Sequence, residues 1–372
     1  MKRVGIIGGG QLAMLMTLSL KYLDNKTHVI ILDPNKKCSA SFYADEIIVG
    51  QYGDEKKLSE LFSKSDIVSY EFENIPINSL EIINQKNPKC LQTTTPLMIS
   101  QNRILEKNLF RNLNIKTAGF HIINNSTNLK IYLNMTSYPC ILKTTQLGYD
   151  GKGQVVIKNK DDINAIEKAI KLVETSECIL EEFVDYVKEI SVIGVYYNQK
   201  IQICAINENT HKNGILYSSK PFLDEVVNNK LKNYFKKITN KLPNSGILSI
   251  EFFLDKKGNL IANELAPRVH NSGHHTMLSM RYSQFDFISY ILLNKSLPKQ
   301  VFEHKAVMFN VLGQHYVKIK QLMENYPLNR NLDFVDYFKE EAKYNRKMAH
   351  INILESEVEI IDKIKSILDK EG

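Results

Sequence analysis

A glycine-rich segment between two short apolar runs constrains the chain most strongly. The run from Cys140 to Lys143 is followed by glycines at positions 148, 151 and 153, and then Val155 to Ile157 resume a β-type pattern. This order predicts a strand, a glycine loop and a second strand. Glycines allow backbone N–H groups to turn together towards an anion, and Lys143 adds a positive charge. The expected ligand is a nucleoside triphosphate; an ordinary glycine-rich hairpin turn is the alternative.

The loop differs from the Walker phosphate-binding loop. The pattern G-x-x-x-x-G-K-[ST] is absent, and the segment leads into a strand instead of a helix. Any phosphate site here therefore belongs to another class of nucleotide-binding protein.

Length and composition indicate a soluble globular protein of two or three domains. The 372 residues are 43% hydrophobic and 24% charged, and no apolar run reaches the length that spans a bilayer. Early glycines argue against a signal peptide. The five cysteines lack C-x-x-C spacing, which indicates free thiols in a reducing cytoplasm. The net charge of +7 comes from dispersed lysines, so neither nucleic-acid nor membrane binding is expected.

The N-terminus predicts alternating strands and helices. A strand over residues 3–9 runs into a helix that ends near Tyr22, and further strands are expected at 29–32, 47–49 and 67–70. Gly8, Gly10 and Ala13, followed by Asp33, nearly fit the dinucleotide fingerprint. One interpretation is a nicotinamide or flavin enzyme. The other is a doubly wound domain that binds a different ligand at the same helix N-terminus.

Acidic residues follow the predicted strand at 67–70. Glu71 and Glu73 would lie at the carboxyl edge of a parallel sheet, where ligands bind in such folds. A solvated acidic loop is the alternative. Residues 93–96 carry turn chemistry and predict a domain boundary before a single helix from Leu97 to about Leu113, which contains Arg103.

A second constellation is the predicted hairpin over residues 249–264. If residues 256–259 form its loop, Glu251 lies directly opposite Glu264, with Cβ atoms roughly 5 Å apart. Two carboxylates in that arrangement repel each other unless a divalent cation lies between them, and oxygen ligands suit Mg2+. The alternative is a solvent-facing acidic pair in a hairpin whose register differs by one residue. The loop that follows carries Arg268, His270, Asn271 and Ser272, which together favour an anion or substrate site.

These motifs resemble those of the ATP-grasp enzymes, specifically the 5-(carboxyamino)imidazole ribonucleotide synthases of purine biosynthesis. The resemblance rests on the loop Gly148-Tyr-Asp-Gly-Lys-Gly-Gln154, on Glu251 with Asn263 and Glu264, and on Pro267-Arg-Val-His-Asn-Ser-Gly-His274. Gly8-Gly-Gly-Gln-Leu12, Tyr70-Glu-Phe-Glu-Asn74 and Arg346-Lys-Met-Ala-His350 extend it over nearly the whole chain.

The resemblance implies a carbon–nitrogen ligase that converts ATP, bicarbonate and aminoimidazole ribonucleotide (AIR) into the N-carboxylated nucleotide, ADP and phosphate. It implies Mg2+ on Glu251 and Glu264, and catalytic roles for Asp150, Arg268, Lys339 and Arg346. The implied ATP-binding residues are Arg103, Lys143, Gly148, Tyr149, Asp150, Gly151, Lys152, Gly153, Gln154, Glu181, Glu182, Phe183, Val184, Glu189, His211, Asn263 and Glu264. The implied ribonucleotide-binding residues are Gln11, Glu73, Tyr149, Asp150, His270, Asn271, Ser272, Lys339 and Arg346.

The sequence departs from the family pattern at two places. Ala13 and Met14 stand where the family usually has glycine and arginine, and Asn345 and Ala349 replace two later glycines. Alanine costs little where φ is negative, and asparagine tolerates positive φ, so activity is expected to be kept. The Met14 change argues against an anion contact at that position.

The expected fold is α/β (α+β). It has a Rossmann-like N-terminal domain (1–96), a two-subdomain ATP-grasp domain (97–296) and a small, mostly β C-terminal domain (297–372). The family resemblance also implies a cytoplasmic homodimer. Three alternatives stay open: a related ligase such as the formate-dependent glycinamide ribonucleotide transformylase, an NAD-linked dehydrogenase, and a nucleotide-binding module without turnover.

Overall fold

The N-terminal part forms a four-stranded parallel sheet. The computed structural model describes residues 1–146, 153–242, 246–326 and 330–370. In the order β3-β2-β1-β4, the sheet contains β1 (Arg3–Ile7), β2 (His28–Asp33), β3 (Glu46–Val49) and β4 (Ile67–Tyr70). Helices α1 (Gln11–Leu23), α2 (Glu55–Lys64) and α3 (Ile77–Lys86) connect or follow these strands. The residues of β1, β2 and β4 are mostly buried, which explains why the sequences of these strands are largely apolar.

The predicted helix over 97–113 is wrong, because two helices occupy this segment. They are α4 (Thr94–Ser100) and α5 (Arg103–Asn112). Asn102 separates the two helices and caps the start of α5. Its side chain accepts hydrogen bonds from the backbone N–H groups of Ile104, at 2.9 Å, and Leu105, at 3.2 Å. An asparagine cap satisfies otherwise unpaired N–H groups and so fixes a new helix start. The break places Arg103 in the first turn of α5.

A small antiparallel sheet carries the predicted glycine hairpin. Its order is β5-β8-β6-β7, with β5 (Phe120–Ile123), β6 (Cys140–Thr144), β7 (Gln154–Ile157) and β8 (Cys178–Glu182). Lys143 pairs with Gln154 at the end of β6 and the start of β7, which confirms the two strands predicted on either side of the glycine segment. Helices α6 (Ser126–Leu133) and α7 (Ile163–Thr175) cover one face with an apolar core.

An eight-stranded antiparallel sheet forms the rest of the scaffold, in the order β13-β12-β9-β10-β11-β14-β16-β15. Its strands are β9 (Tyr186–Tyr197), β10 (Lys200–Lys212), β11 (Ile215–Pro221), β12 (Gly246–Asp255), β13 (Leu260–Ala266), β14 (Ala306–Leu312), β15 (Leu332–Asp336) and β16 (Lys347–Leu354). Helices α8 (Glu225–Thr239), α9 (Thr276–Ser279), α10 (Gln284–Leu292), α11 (Gly313–Glu324) and α12 (Val358–Leu368) pack on it. The last three strands and the last two helices make up the C-terminal part.

Packing between α1 and α10 joins the N-terminal part to the large sheet. Met16 and Leu20 of α1 share one buried apolar cluster with Phe287 and Ile291 of α10. Within the described ranges, none of the helices has the length and apolar character needed to cross a bilayer.

Candidate active site

One large cavity lies between the small sheet, the large sheet and the carboxyl edge of the N-terminal sheet. Its volume is about 820 Å3. It collects most of the described residues that the sequence predicted: Gln11, Glu73, Arg103, Lys143, Gln154, Glu181, Glu182, Phe183, Val184, Glu189, His211, Glu251, Asn263, Glu264, Arg268, His270 and Asn271. Gly148, Tyr149, Asp150, Gly151 and Lys152 lie outside the described residues. Gly153 is described and adopts a positive φ of 70°, which glycine tolerates without strain.

Lys143 is held at the cavity wall by Glu181. Its Nζ donates to Glu181 Oε2 at 2.6 Å, and the Nζ of Lys107 lies 3.1 Å from the other oxygen, Oε1. Burial favours the neutral carboxyl, but the two ammonium groups outweigh it and lower the pKa of Glu181 to about 2. Glu181 is therefore a carboxylate at neutral pH, and it fixes the position of the Lys143 charge.

A second ionic contact lines the same cavity near the start of β9. The carboxylate of Glu189 pairs with the His211 imidazole of β10. Burial disfavours the imidazolium, but Glu189 and Glu251 raise the pKa of His211 overall. Beside this pair, the ring of Tyr186 stacks on Phe253 with centroids 4.6 Å apart. The result is a flat apolar surface next to a hydrogen-bonding carboxylate.

The predicted pairing of β12 with β13 is wrong near the turn. A β-bulge restores the predicted register further along the two strands. Leu254 pairs with Leu260, so the loop has one residue more than predicted, whereas Ile250 pairs with Leu265. The shift between Ile250 and Phe252 sets two residues of β13 opposite Glu251. Both Glu251 and Glu264 line the cavity, although the bulge replaces the predicted direct pairing of one with the other.

The two carboxylates repel each other in this cavity. Burial and the nearby Glu264 raise the pKa of Glu251 to about 8. A cation between them would relieve this repulsion, so the pair fits a hard divalent ion. No cluster of three or more His, Cys, Asp or Glu side chains suited to a metal occurs in the described ranges. Mg2+ commonly completes its coordination with phosphate oxygens and water, so two protein carboxylates match its usual sites.

A buried acid that was not predicted from the sequence lies beside the Glu251–Glu264 pair. Glu106 of α5 is 2% exposed, and its Oε1 accepts a hydrogen bond of 2.5 Å from the backbone N–H of Leu265, next to Glu264. Burial and the charge of Glu264 raise the pKa of Glu106 to about 8. Its position three residues after Arg103 on one helix was the available signal, since residues three or four apart share a helix face.

Arg268 forms a bidentate pair with Glu73 across the junction with the N-terminal part. Its Nε and its Nη2 each donate to one carboxylate oxygen, the latter at 3.1 Å. Burial favours a neutral Glu73, but the guanidinium outweighs this and lowers the Glu73 pKa to about 2. The pair is therefore ionised, and it ties the loop after β13 to the loop after β4.

His270 is oriented from behind by Ser272. The His270 Nδ1 lies 2.7 Å from the Ser272 hydroxyl, which is itself 2.7 Å from the Ser191 hydroxyl. Ser272 is fully buried and does not line the cavity, so the prediction that it contacts the ribonucleotide directly is not supported by the geometry. Gln284 also fixes this loop, because its side chain bonds both the N–H and the C=O of His270. Burial, Arg268 and Lys347 lower the pKa of His270 well below its usual value.

Lys339 and Arg346 lie beside a second, adjacent cavity of about 380 Å3. The Lys339 Nζ donates to the Lys347 carbonyl at 2.7 Å. Burial and the nearby Arg346 lower the pKa of Lys339 to about 8. Gly9 and Gly10 also line this cavity, so the first glycine turn and the two basic residues border the same space. Lys347, which the sequence reasoning also missed, lines the large cavity next to His270.

The groups of the dinucleotide fingerprint already have partners inside the protein. Asp33 Oδ2 accepts hydrogen bonds of 2.8 Å from the Gly9 N–H and from the Tyr52 hydroxyl. The carboxylate of Glu71 accepts from the backbone N–H groups of Gly10 and Ala13 at the start of α1. A pyrophosphate would need the site that Glu71 fills, so the glycine turn is structural here.

The four departures from the family pattern fit their positions. Ala13 and Met14 are buried in α1, so Met14 belongs to the core and makes no anion contact. Asn345 has a φ of 61°, whereas Ala349 lies within β16 and is not among the described residues with positive φ. Asparagine and alanine suit these two backbone conformations.

The chain resembles known proteins over its whole length. Family models match residues 1–101 (ribonucleotide synthetase preATP-grasp domain), 108–285 (ATP-grasp domain) and 306–364 (phosphoribosylaminoimidazole carboxylase C-terminal domain). The N5-carboxyaminoimidazole ribonucleotide synthase of Staphylococcus haemolyticus is 37% identical over 362 residues, which cover 97% of this chain and 94% of that protein.

Solved structures agree with this assignment. A crystal structure of an N5-carboxyaminoimidazole ribonucleotide synthetase in complex with ADP has a TM-score of 0.91 and 36% identity, covering 99% of this chain and 96% of that one. The Staphylococcus aureus enzyme complexed with ADP has a TM-score of 0.90 and 34% identity, covering 97% and 95%. The predicted α/β architecture and the predicted ATP-dependent ligase class are thereby confirmed, and the chain belongs to the N5-carboxyaminoimidazole ribonucleotide synthase family.

Proposed function

We propose that this enzyme uses ATP and bicarbonate to carboxylate the amine of AIR, giving 5-carboxyaminoimidazole ribonucleotide, ADP and phosphate in purine biosynthesis. The observation that carries this proposal is a single cavity. It brings the Lys143–Glu181 pair, the two carboxylates Glu251 and Glu264, and the Arg268–His270 loop together. These groups suit a nucleotide, a divalent cation and an anionic second substrate, respectively.

ATP would lie between the two sheets. The backbone of residues 181–184 would face adenine, and Glu189 with His211 would bind the ribose hydroxyls. Arg103, Lys143 and the loop 148–154 would hold the phosphates, because charge-assisted contacts to phosphate are short and strong. Asn263 would lie alongside the phosphates.

Glu251 and Glu264 would hold Mg2+. The raised pKa of Glu251 reflects two crowded carboxylates, which a divalent cation would neutralise. When bound there, Mg2+ would supply charge stabilisation to the phosphates of ATP. These two residues would also set where the triphosphate lies relative to Lys143.

AIR would occupy the region where the two cavities adjoin. Gln11, Glu73, His270 and Asn271 would face its ring and ribose, and Lys339 with Arg346 would bind its phosphate. Ser272 would act through His270, whose ring it orients at 2.7 Å. Tyr149 and Asp150 would contact AIR from the glycine loop.

The reaction has two displacement steps. A bicarbonate oxygen attacks the γ-phosphorus, the bond to the β-phosphate oxygen breaks, and carboxyphosphate and ADP form. Arg268 and Lys143 would stabilise the negative charge that develops. The AIR amine then attacks the carboxyl carbon, or CO2 released from it, and phosphate leaves. Asp150 would accept the proton that the amine loses, and exclusion of water from the cavity would limit hydrolysis of the intermediate.

The remaining expectations are proposals about the whole protein. We expect a homodimer that acts in the cytoplasm, binding neither nucleic acid nor membrane, with its domains divided after residues 96 and 296. The dispersed charge of +7 over 372 residues supports the expectation about nucleic acid.

Phosphate release from ATP and Mg2+ in bicarbonate buffer, with and without AIR, tests the function. We expect strong stimulation by AIR, lost in Glu264→Gln, while Glu303→Gln on the surface keeps it. ATP binding without stimulation by AIR would overturn the substrate assignment. Mass spectrometry of the product, with 13C-bicarbonate, checks that the carboxyl group comes from bicarbonate.

A further inference from the structure

Phe338 adopts a backbone conformation that a bulky residue rarely takes. Its φ is +52°, in the left-handed region. For a bulky side chain this region is a genuine outlier, and such outliers persist only where surrounding contacts hold them. One contact is local, because the Phe338 N–H donates to Asp336 Oδ1 at 2.9 Å.

The other contacts come from the N-terminal part. The ring of Phe338 lies 4.5 Å from that of Phe42, centroid to centroid, with a 30° angle between the planes. Tyr43 adds a second ring at 6.4 Å. Phe42 ends a short 3-10 turn, Ser39–Phe42, whose first residue lines the smaller cavity. The aromatic contact therefore joins the C-terminal part to the turn that borders this cavity.

The neighbours of Phe338 explain why its backbone matters. Tyr337 is fully buried, and its hydroxyl lies 2.8 Å from His350 Nδ1. Lys339 lines the smaller cavity together with Gly9 and Gly10. Phe338, with its positive φ, thus stands between an anchored tyrosine and a lysine at the cavity. A relaxed backbone at Phe338 would direct Lys339 elsewhere.

We propose that Phe338, held by Phe42, is a positioning residue that orients Lys339 towards the phosphate of the ribonucleotide substrate. This inference rests on the proposed function, because it assigns the smaller cavity to that phosphate. It makes a residue of the N-terminal part, Phe42, a determinant of how a lysine of the C-terminal part binds substrate. A nearby ion pair, Lys37 with Glu340 at 3.3 Å, spans the same junction at the surface.

Steady-state kinetics on Phe42→Ala, Phe338→Gly and the double variant test the proposal. Glycine tolerates the positive φ, so Phe338→Gly removes the ring without adding strain at that backbone position. We expect each single variant to raise the KM for AIR about three- to tenfold, in line with an aromatic pair, and to leave the KM for ATP within about twofold. Because both variants remove the same contact, the double variant should match the singles instead of multiplying their effects.

Phe338→Ala separates the ring from the backbone. Alanine disfavours positive φ, so its KM for AIR should exceed that of Phe338→Gly. Phe42→Tyr should restore normal kinetics, and Phe302→Ala, which removes an exposed ring elsewhere, is the matched control. An unchanged KM for AIR, equal increases for both substrates, or multiplied effects in the double variant would overturn the proposal. A wild-type enzyme that shows no response to AIR would instead refute the proposed function.

Discussion

The carboxylate of Glu71 accepts a hydrogen bond of 2.8 Å from the backbone N–H of Ala13 in the first turn of α1. It also accepts one from the N–H of Gly10. A negative side chain therefore fills the helix N-terminus, where nucleotide-binding domains of the dehydrogenase type receive a pyrophosphate. The glycine motif is retained for close packing, since a Cβ on Gly8 would lie 2.6 Å from Glu71 Cγ.

Glu71→Gln should destabilise the protein by about 1–3 kcal/mol, because an amide nitrogen would replace one acceptor of a buried N–H group. Urea unfolding followed by circular dichroism measures this change. Glu60→Gln, which alters a surface acid paired with lysines, should stay within about 1 kcal/mol of wild type. An equal loss in both variants would contradict the capping role of Glu71.

Lys107→Met should weaken ATP binding even if ATP never touches Lys107. The buried Glu181 forms ion pairs with Lys107 and with Lys143. The substitution removes the first ion pair, so Glu181 should hold Lys143 less firmly in place. We expect the KM for ATP to rise about tenfold and stability to fall by about 3 kcal/mol, as for other broken buried pairs. Lys64→Met on the surface is the control. An unchanged KM for ATP would refute the positioning role.

Glu181 also predicts acid sensitivity. Its pKa is about 2 in the folded protein against an ordinary 4.5, so the unfolded chain binds the proton more tightly. The stabilisation is complete above about pH 4.5 and is lost as the pH falls towards 2. The difference in unfolding free energy between wild type and Glu181→Gln should therefore shrink between pH 6 and pH 3. A constant difference over that range would show that the contacts with Lys107 and Lys143 do not stabilise the ionised form of Glu181.

The cysteine thiols should react slowly in the native state. Burial raises the pKa of Cys38, Cys140 and Cys178 to about 11 and that of Cys90 to about 12. At pH 8 the thiolate fraction is then about one in a thousand or less. Ellman's reagent should label the native enzyme slowly, with rates that rise with pH, and should label all five thiols in guanidinium chloride. Rapid labelling of one thiol at pH 8 would contradict this environment.

The sequence predicts some elements well because their signals are local. The strand Ile67–Tyr70 has the predicted bounds, and the two strands around the glycine segment lie within one residue of their predicted bounds. Other features depend on tertiary contacts. The apolar periodicity continues through residues 97–113, and it masks the competing signal of the Asn102 cap. Residue alternation along β12 cannot reveal a bulge in its pairing. Lys107 resembles a solvent-facing helical lysine until its buried partner Glu181, 74 positions later in the sequence, is known.

The continuous large sheet limits how this enzyme can be divided. Ser218 and Ser219 of β11 pair with Phe309 and Met308 of β14, so the last three strands extend the sheet that carries Glu251 and Glu264. A chain shortened before Ala306 would leave β11 as an open edge, which invites intermolecular pairing and aggregation. Exchange of the C-terminal part between relatives would likewise have to preserve the pairing of β11 with β14. A C-terminal part from another protein could therefore function here only if its first strand pairs with β11.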